Sequence, residues 1–223
     1  MLTKILPAAV VCSEQIGRLS GFLLEEEERA LGLGVVQKRR ESFTAGRTCA
    51  RQALRALGMP QVSILRGRER EPVWPDGIVG SITHCDGYCA AALAYSRDFI
   101  SLGIDAEPNE PLPGDVLQSI ALKAEIDWLQ RAPKSSLCWD KLLFSIKESI
   151  YKTWYPVARC WLGFEQVLVT IEPETNSFIG TVLPSASVQA PRHMSSFQGQ
   201  YLVEESLLVT SICIPQSPIH NAG

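Results

Sequence analysis

The sequence predicts an α+β fold in which one unit, a helix bearing arginines or lysines followed by strands, occurs twice along 223 residues. Three observations point there. Apolar positions recur at helical spacing over 45–57, as Ala50, Leu54 and Leu57, and again over 139–155, as Leu143, Ile146, Ile150 and Trp154. Runs rich in Ile, Val, Ala and Tyr, punctuated by Gly, Pro and Asp, come after each of them. Charge is divided between the halves: 38–70 holds nine Lys or Arg against Glu41 and Glu69, whereas 103–223 holds eight basic and thirteen acidic side chains. No stretch of residues visibly recurs, so the repeat lies in element order.

Taken along the chain, the apolar run 5–11 is too short for a secretory leader, contains Pro7, and reads as a first strand. Segment 23–33 sets four glutamates between leucines and suits a short surface helix. Thr44 can cap a helix over 45–57 that Gly58 and Pro60 stop, with Arg47, Arg51 and Arg55 four apart on one face. Two strands around an Asp86-Gly87 turn are predicted over 78–95. A strand over 100–107 leads into the loop 108–114 and then into helices over 116–130 and 139–155, the second ended by Pro156. Segments 167–171, 179–183 and 201–214 are strand-like, 191–199 reads as a loop, and 216–223 as a frayed end.

Composition narrows the function. With 46% hydrophobic and 20% charged residues the chain reads as a globular protein of one large or two small domains. The net charge of -3 and the lack of a basic-aromatic repeat argue against a nucleic-acid partner. No run reaches the ~18 apolar residues that a membrane helix needs. Seven cysteines at irregular spacing, without a CxxC pair, signal neither a disulfide framework nor a zinc site, and a reducing cytoplasm is the expected setting.

Four clusters carry chemistry. Arg47, Arg51 and Arg55, with Lys38-Arg39-Arg40 before them and Arg66, Arg68 and Arg70 after, are either a solvated basic face or a bidentate grip on phosphates. His84 at a strand end is either structural or a donor to phosphate. Asp105 and Glu107, two apart in a strand, project from one face and fit either a solvated edge or one hard cation. Glu148 and Lys152, four apart on a helix, form either an ordinary ion pair or a general base beside a cation that neutralises a leaving phosphate.

Taken in order, these segments resemble the 4′-phosphopantetheinyl transferases of the single-chain type that acts on siderophore, polyketide and nonribosomal-peptide synthetases. The matching residues are Arg39-Arg40-Glu41-Ser42-Phe43 with Gly46-Arg47-Thr48-Cys49-Ala50-Arg51, then Glu71-Pro72-Val73-Trp74-Pro75-Asp76-Gly77 leading to Gly80-Ser81-Ile82-Thr83-His84-Cys85. Gly103-Ile104-Asp105-Ala106-Glu107-Pro108, Phe144-Ser145-Ile146-Lys147-Glu148-Ser149 with Tyr151-Lys152, and Trp161-Leu162-Gly163-Phe164 complete the set. The resemblance implies two similar α/β lobes, 1–102 and 103–223, related by a pseudo-two-fold axis, with coenzyme A and magnesium in the cleft between them. Asp105, Glu107 and Glu148 then match the metal ligands, and Asp105, Glu148 and Lys152 the catalytic set. Thr83, His84, Lys147 and Lys152 match the contacts to the phosphates, and Arg39, Arg47 and Arg66 hold the phosphorylated adenosine end. The implied reaction moves phosphopantetheine from coenzyme A to a serine of an apo acyl or peptidyl carrier protein and releases 3′,5′-ADP. The implied enzyme is a cytoplasmic monomer with neither a nucleic-acid nor a membrane partner. A magnesium-dependent hydrolase of coenzyme A and an inactive carrier-docking module are the competing readings.

Overall fold

A computed structural model describes residues 1–32, 34–184, 191, 194–204 and 206–216. Leu33 of the first predicted helix, 192–193 of the predicted loop and 217–223 of the predicted frayed end lie outside the described residues. The chain opens with one turn of 3-10 helix, Leu2–Lys4, and its first strand, β1, is Val11–Ile16 rather than 5–11. Pro7 cannot donate to a ladder, and its carbonyl instead accepts the Val10 N–H in a turn.

Helix α1 (Glu25–Leu31) is followed by the 20-residue helix α2 (Gln37–Ala56). Thr44, expected as the cap of α2, lies in its interior. The helix starts earlier because the straight-chain residues Gln37 to Glu41 favour it without any apolar pattern, and Gln37 Nε2 donates to Glu41 Oε1 at 2.7 Å one turn on. A hairpin absent from the sequence reading, β2 (Leu65–Arg66) with β3 (Pro72–Val73), comes next. The expected hairpin β4 (Ile78–Cys85) and β5 (Tyr88–Tyr95) closes on Asp86-Gly87, where Gly87 takes φ +68°. Strand β6 (Phe99–Pro108) agrees with the predicted one.

The helix expected over 116–130 is two, α3 (Val116–Ile120) and α4 (Lys123–Leu129). Between them Ala121 and Leu122 are extended, and the Leu122 N–H donates to Glu125 Oε2 at 2.7 Å as a start signal for α4. Helix α5 (Trp139–Ala158) runs past Pro156, whose missing N–H removes a single bond in the last turn, and Arg159 caps it with φ +51°. Four strands complete the chain: β7 (Val167–Glu172), β8 (Ser177–Val182), β9 (Ser196–Glu204) and β10 (Leu207–Pro215). The strand-like stretch 201–214 is thus parts of two strands, and β9 already begins inside the loop expected over 191–199. Phe197 and Tyr201 are what fix it there, alternating inward to the core.

One antiparallel sheet has the order β1-β5-β4 and the other β6-β10-β9-β8-β7. Both faces of β5 are covered, which is why its alanine-rich run shows no polar alternation. Cys89, Ala91 and Leu93 pack with Ala45, Cys49, Ala50 and Ala53 of α2. Tyr88, Ala90, Ala92 and Ala94 pack with Leu102, Ile104 and Ala106 of β6 and with Val209. The predicted stripe of α5, Leu143, Ile146, Ile150 and Trp154, is buried against Phe178, Phe197, Tyr201, Leu208 and Ile212. The sheets meet where β4 lies beside β6. There the Ile104 N–H donates to Ser81 Oγ at 3.2 Å and the Ala106 N–H to Thr83 Oγ1 at 3.0 Å, two residues on in both strands, so the strands run in the same direction.

One anchoring device occurs twice. Glu27, third residue of seven-residue α1, accepts the N–H groups of Leu24 and Ile64 at 2.9 Å and is paired with Arg51 of α2, whose guanidinium also donates to the Phe22 carbonyl. Glu125, third residue of seven-residue α4, accepts the N–H groups of Leu122 and Val169 and is paired at 2.8 Å with Lys147 of α5, which also donates to the Ile120 carbonyl. All four charged residues are buried. Each sheet also places the first strand of its segment, β1 or β6, against the last, β5 or β10.

Candidate active site

Asp105 owes its setting to Gly103. A Cβ at position 103 would stand 2.2 Å from the Ser149 carbonyl oxygen and from Thr153 Oγ1, so only glycine lets α5 cross this closely over β6. Ser101 Oγ adds a hydrogen bond of 2.7 Å to the Thr153 carbonyl. Period-two alternation puts Asp105 on the face of β6 that carries Gly103, and Lys152 Nζ reaches Asp105 Oδ1 at 2.6 Å. Thr83 Oγ1 donates to the same oxygen at 3.1 Å, while Asp105 Oδ2, fully buried, has no hydrogen-bond partner among the described residues.

The surrounding charges reinforce one another. Burial lowers the Lys152 ammonium, but the Asp105 and Glu148 carboxylates more than offset it, so its pKa lies above the ordinary value and it stays a cation. Burial raises Glu148, against the pull of Lys152 and with the help of Asp105, and its carboxylate accepts no hydrogen bond from the described residues. Burial also raises Glu107, as does Asp105, with Lys141 opposing them at 3.5 Å.

A cavity of about 340 Å³ opens beside this group. Its walls come from α2, the β2–β3 hairpin, β4 and α5. Arg39, Arg47, Arg66 and Arg70 of α2 and the hairpin line it, as do Glu148, Lys152, Tyr151 and Tyr155 of α5 and Gly80, Ser81, Ile82 and His84 of β4. Arg47 is held by its Nε, which donates to the Ile64 carbonyl at 2.7 Å. Arg47 and Arg66 both approach Phe43, their guanidinium carbons 4.2 and 5.3 Å from its ring centroid. Burial, then the neighbouring Arg66 and Arg51, bring Arg47 down to about 10 despite Glu27, and it remains charged at neutral pH. Desolvation and the Lys152 charge depress His84 below its ordinary value, with Asp105 opposing them. A neutral imidazole there has one N–H to donate.

The structure brings together Arg39, Arg47, Arg66, His84, Glu148 and Lys152 at one cavity, with Asp105 behind Lys152, and it places Lys147 and Thr83 elsewhere. Lys147 lies outside the cavity: its ammonium faces Ile120, Phe164 and Val167 carbonyls and Glu125 at 2.8 to 3.1 Å, so its three donors are committed to the fold. Thr83 is likewise turned inward, its hydroxyl shared between Asp105 and the Ala106 N–H. Arg51 is structural, paired to Glu27.

The expected metal triad is not assembled: among the described residues no three His, Cys, Asp or Glu side chains lie close enough to hold a metal ion. Glu107 is drawn instead toward Lys141. What does fit a hard cation is the orphaned Asp105 Oδ2 together with the unpartnered Glu148 carboxylate, since magnesium commonly takes one or two protein carboxylates and fills its shell with water and substrate phosphate. Sequence reasoning named Arg70 among the candidate phosphate grips but missed the cavity-lining hairpin residues Glu69 and Glu71 and the backbone-binding role of Ser81. Ser81 was detectable as the residue two before Thr83, hence on its face of the strand.

The 4′-phosphopantetheinyl transferase N-terminal domain matches residues 26–94, and the 4′-phosphopantetheinyl transferase superfamily matches 101–205. The chain is 43% identical to the 4′-phosphopantetheinyl transferase Svp of Streptomyces mobaraensis over 194 residues, covering 86% of this chain and 79% of that one. Identity to Npt of Nocardia iowensis is 41% over 95% of this chain and 99% of the relative, and to PptT of Mycobacterium tuberculosis 38% over 96% and 98%. Enterobactin synthase component D of Salmonella typhi is 34% identical over 70% of this chain and 65% of its own. None of the helices is long and apolar enough, among the described residues, to cross a membrane. Matched in both halves and along nearly its whole length, the chain belongs to the 4′-phosphopantetheinyl transferase superfamily and is a transferase of that type.

Proposed function

We propose that the cavity binds coenzyme A, that Asp105 and Glu148 hold a magnesium ion beside it, and that the acceptor is a serine of an apo acyl or peptidyl carrier protein. The observation that carries this reading is the Asp105–Lys152 contact of 2.6 Å, with Glu148 on the same helix, at the wall of an arginine-lined cavity. Arg39, Arg47 and Arg66 grip the phosphorylated adenosine end, where planar guanidinium donors match phosphate oxygens. His84 donates to the pyrophosphate. The serine oxygen forms a bond to the β-phosphorus of coenzyme A while the bond from that phosphorus to the bridging oxygen breaks, and 3′,5′-ADP leaves. Glu148, its proton affinity raised by burial, takes the serine proton; Lys152 neutralises the charge that grows on the leaving phosphate. Magnesium, when bound, supplies positive charge at the pyrophosphate. Asp105 fixes Lys152 in place, and Glu107, paired with Lys141, contributes to the negative field.

The fold is read as two lobes, 1–102 and 103–223, related by a pseudo-two-fold axis, with the site in the cleft between them and the chain acting as a monomer. The paired Glu27–Arg51 and Glu125–Lys147 anchors and the shared strand order support the duplication. Incubation with coenzyme A, magnesium and an apo carrier domain, followed by mass spectrometry of the carrier, tests the activity. A phosphopantetheine-sized gain that needs all components is expected. An unmodified carrier alongside cleaved coenzyme A would make the enzyme a hydrolase, and an unmodified carrier with intact coenzyme A a binding module.

A further inference from the structure

The β2–β3 hairpin carries part of the cavity wall but belongs to neither sheet, and its ladder pairs only Leu65 with Val73 and Arg66 with Pro72. So short a ribbon does not hold its position alone. On the side of the first half it is tied down by Arg66, whose guanidinium donates to the Ala30 carbonyl, and by Arg47, which donates to the Ile64 and Leu65 carbonyls. Toward the second half, a single hydrogen-bonded link is made among the described residues: Arg159 Nη1 donates to Glu71 Oε1 at 2.9 Å.

Both partners are prearranged for that link. The Glu71 carboxylate is lodged over Gly67, where a Cβ would stand 2.2 Å from Oε1, and its Oε2 accepts the Glu69 N–H at 3.0 Å. Arg159 is the left-handed cap of α5, and Tyr155 and Pro156 just before it line the cavity. Arg70, at the turn of the hairpin, is also left-handed, with φ +70°. A non-glycine residue in that region stores strain that its surroundings must hold. Beneath the pair runs a crevice of about 220 Å³, between Trp74 and Val157, so little protein packs between hairpin and helix there.

We propose that the Glu71–Arg159 pair is a latch that sets the gap between the hairpin and α5, which makes Arg159 a positioning residue for coenzyme A although it lines no part of the cavity. This rests on the reading of the cavity as the coenzyme A site. With the latch closed, Arg66 and Arg70 face Tyr151 and Lys152 across the bound nucleotide. With it broken, the hairpin swings on its first-half ties and the arginine grip loosens. Arg159 is 62% exposed, so the effect is modest and sensitive to salt.

The test is titration calorimetry with coenzyme A and with 3′,5′-ADP on wild type, Arg159→Gln, Arg159→Lys, Glu71→Gln and the double Gln variant, alongside carrier-loading kinetics. We expect Arg159→Gln to weaken both ligands about three- to five-fold at low salt. KM for coenzyme A rises in step while kcat changes less, Arg159→Lys recovers most of the loss, and the double variant is no weaker than either single one. In 0.5 M salt the difference from wild type shrinks. Affinities equal to wild type for Arg159→Gln, or single losses that add in the double variant, overturn the latch. Failure of the wild type to bind either ligand overturns the coenzyme A reading itself, and the latch falls with it.

Discussion

Replacing Thr83 with valine separates two roles for its hydroxyl, a contact to substrate phosphate and a brace for Asp105. The hydroxyl accepts the Ala106 N–H at 3.0 Å and donates to Asp105 Oδ1 at 3.1 Å, and the residue is 1% exposed. Valine keeps the branched shape and loses both bonds. An orphaned buried N–H costs about 1–3 kcal/mol, and a bond to a carboxylate is worth about 1.5–3 kcal/mol. With partial relaxation the loss is about 3 kcal/mol, which for a chain of this size lowers Tm by roughly 6–12 °C. Asp105 then keeps Lys152 as its only hydrogen-bond donor among the described residues. The chemical step slows, whereas affinity for coenzyme A hardly changes because Thr83 lies outside the cavity wall. Thr83→Ser restores both bonds and most of the loss. Thermal unfolding by circular dichroism and carrier loading at saturating and limiting coenzyme A measure the two effects. A Thr83→Val protein with unchanged Tm and a strongly raised KM for coenzyme A would refute the brace.

Gly103→Ala forces a methyl group into the α5 backbone; a loss of about 1–3 kcal/mol from overpacking is expected, with a fall in carrier loading beyond ten-fold as Lys152 is pushed from Asp105, and loading close to wild type would refute it. Lys147→Met leaves Glu125 buried without its cation, and a loss of about 3–5 kcal/mol in urea unfolding is expected; a protein of normal stability with weakened coenzyme A binding would return Lys147 to the substrate. Burial alone raises Glu14, but hydrogen bonds from the Tyr88 hydroxyl and the Leu2 N–H, together with the Met1 ammonium 3.0 Å away, more than offset it and bring the folded pKa below the ordinary 4.5. Its stabilisation is therefore present above about pH 4.5 and lost as pH falls through the lower folded value, so the Tm gap between wild type and Glu14→Gln should narrow progressively as pH falls below about 4.5; a constant gap would contradict the assignment.

What the sequence made legible follows from what its patterns encode. The β4–β5 hairpin was readable because Asp86-Gly87 demands a tight turn and the flanking residues favour strands. Helix α5 was readable from a stripe that is buried in full. The early start of α2 was not, since its first turns are polar all round and are recognised only by propensity. The β2–β3 hairpin escaped because two-residue strands carry no period, and the break before α4 because it is set by one capping carboxylate. At the site, residue types and order identified the charged groups, but burial and direction came only with three-dimensional neighbours. Lys147 and Lys152 look alike in sequence; five positions apart on a helix, they face about 140° away from each other, one into a cage of carbonyls and the other to Asp105.

That difference in direction links the anchors to the chemistry. Phe22 and Glu27 offer Arg51 oxygens on two sides, which a planar fork spans, with Nη1 on the carboxylate and Nη2 on the carbonyl. The oxygens around Lys147, from Ile120, Glu125, Phe164 and Val167, converge on one point, and a compact ammonium suits them. Each cation fixes the rotation of its helix about the long axis. With Lys147 turned to α4, Glu148, about 100° further round, faces the cavity, and Lys152, one turn beyond Glu148, reaches Asp105. With Arg51 turned to α1, Arg47 one turn before it stands at the cavity edge, tied to the Ile64 carbonyl. The same glutamate-to-cation device therefore aims a guanidinium from one helix and a carboxylate–ammonium pair from the other into a single cavity. Unequal chemistry at one cavity needs nothing more here than different side chains next to two similar glutamate-to-cation anchors.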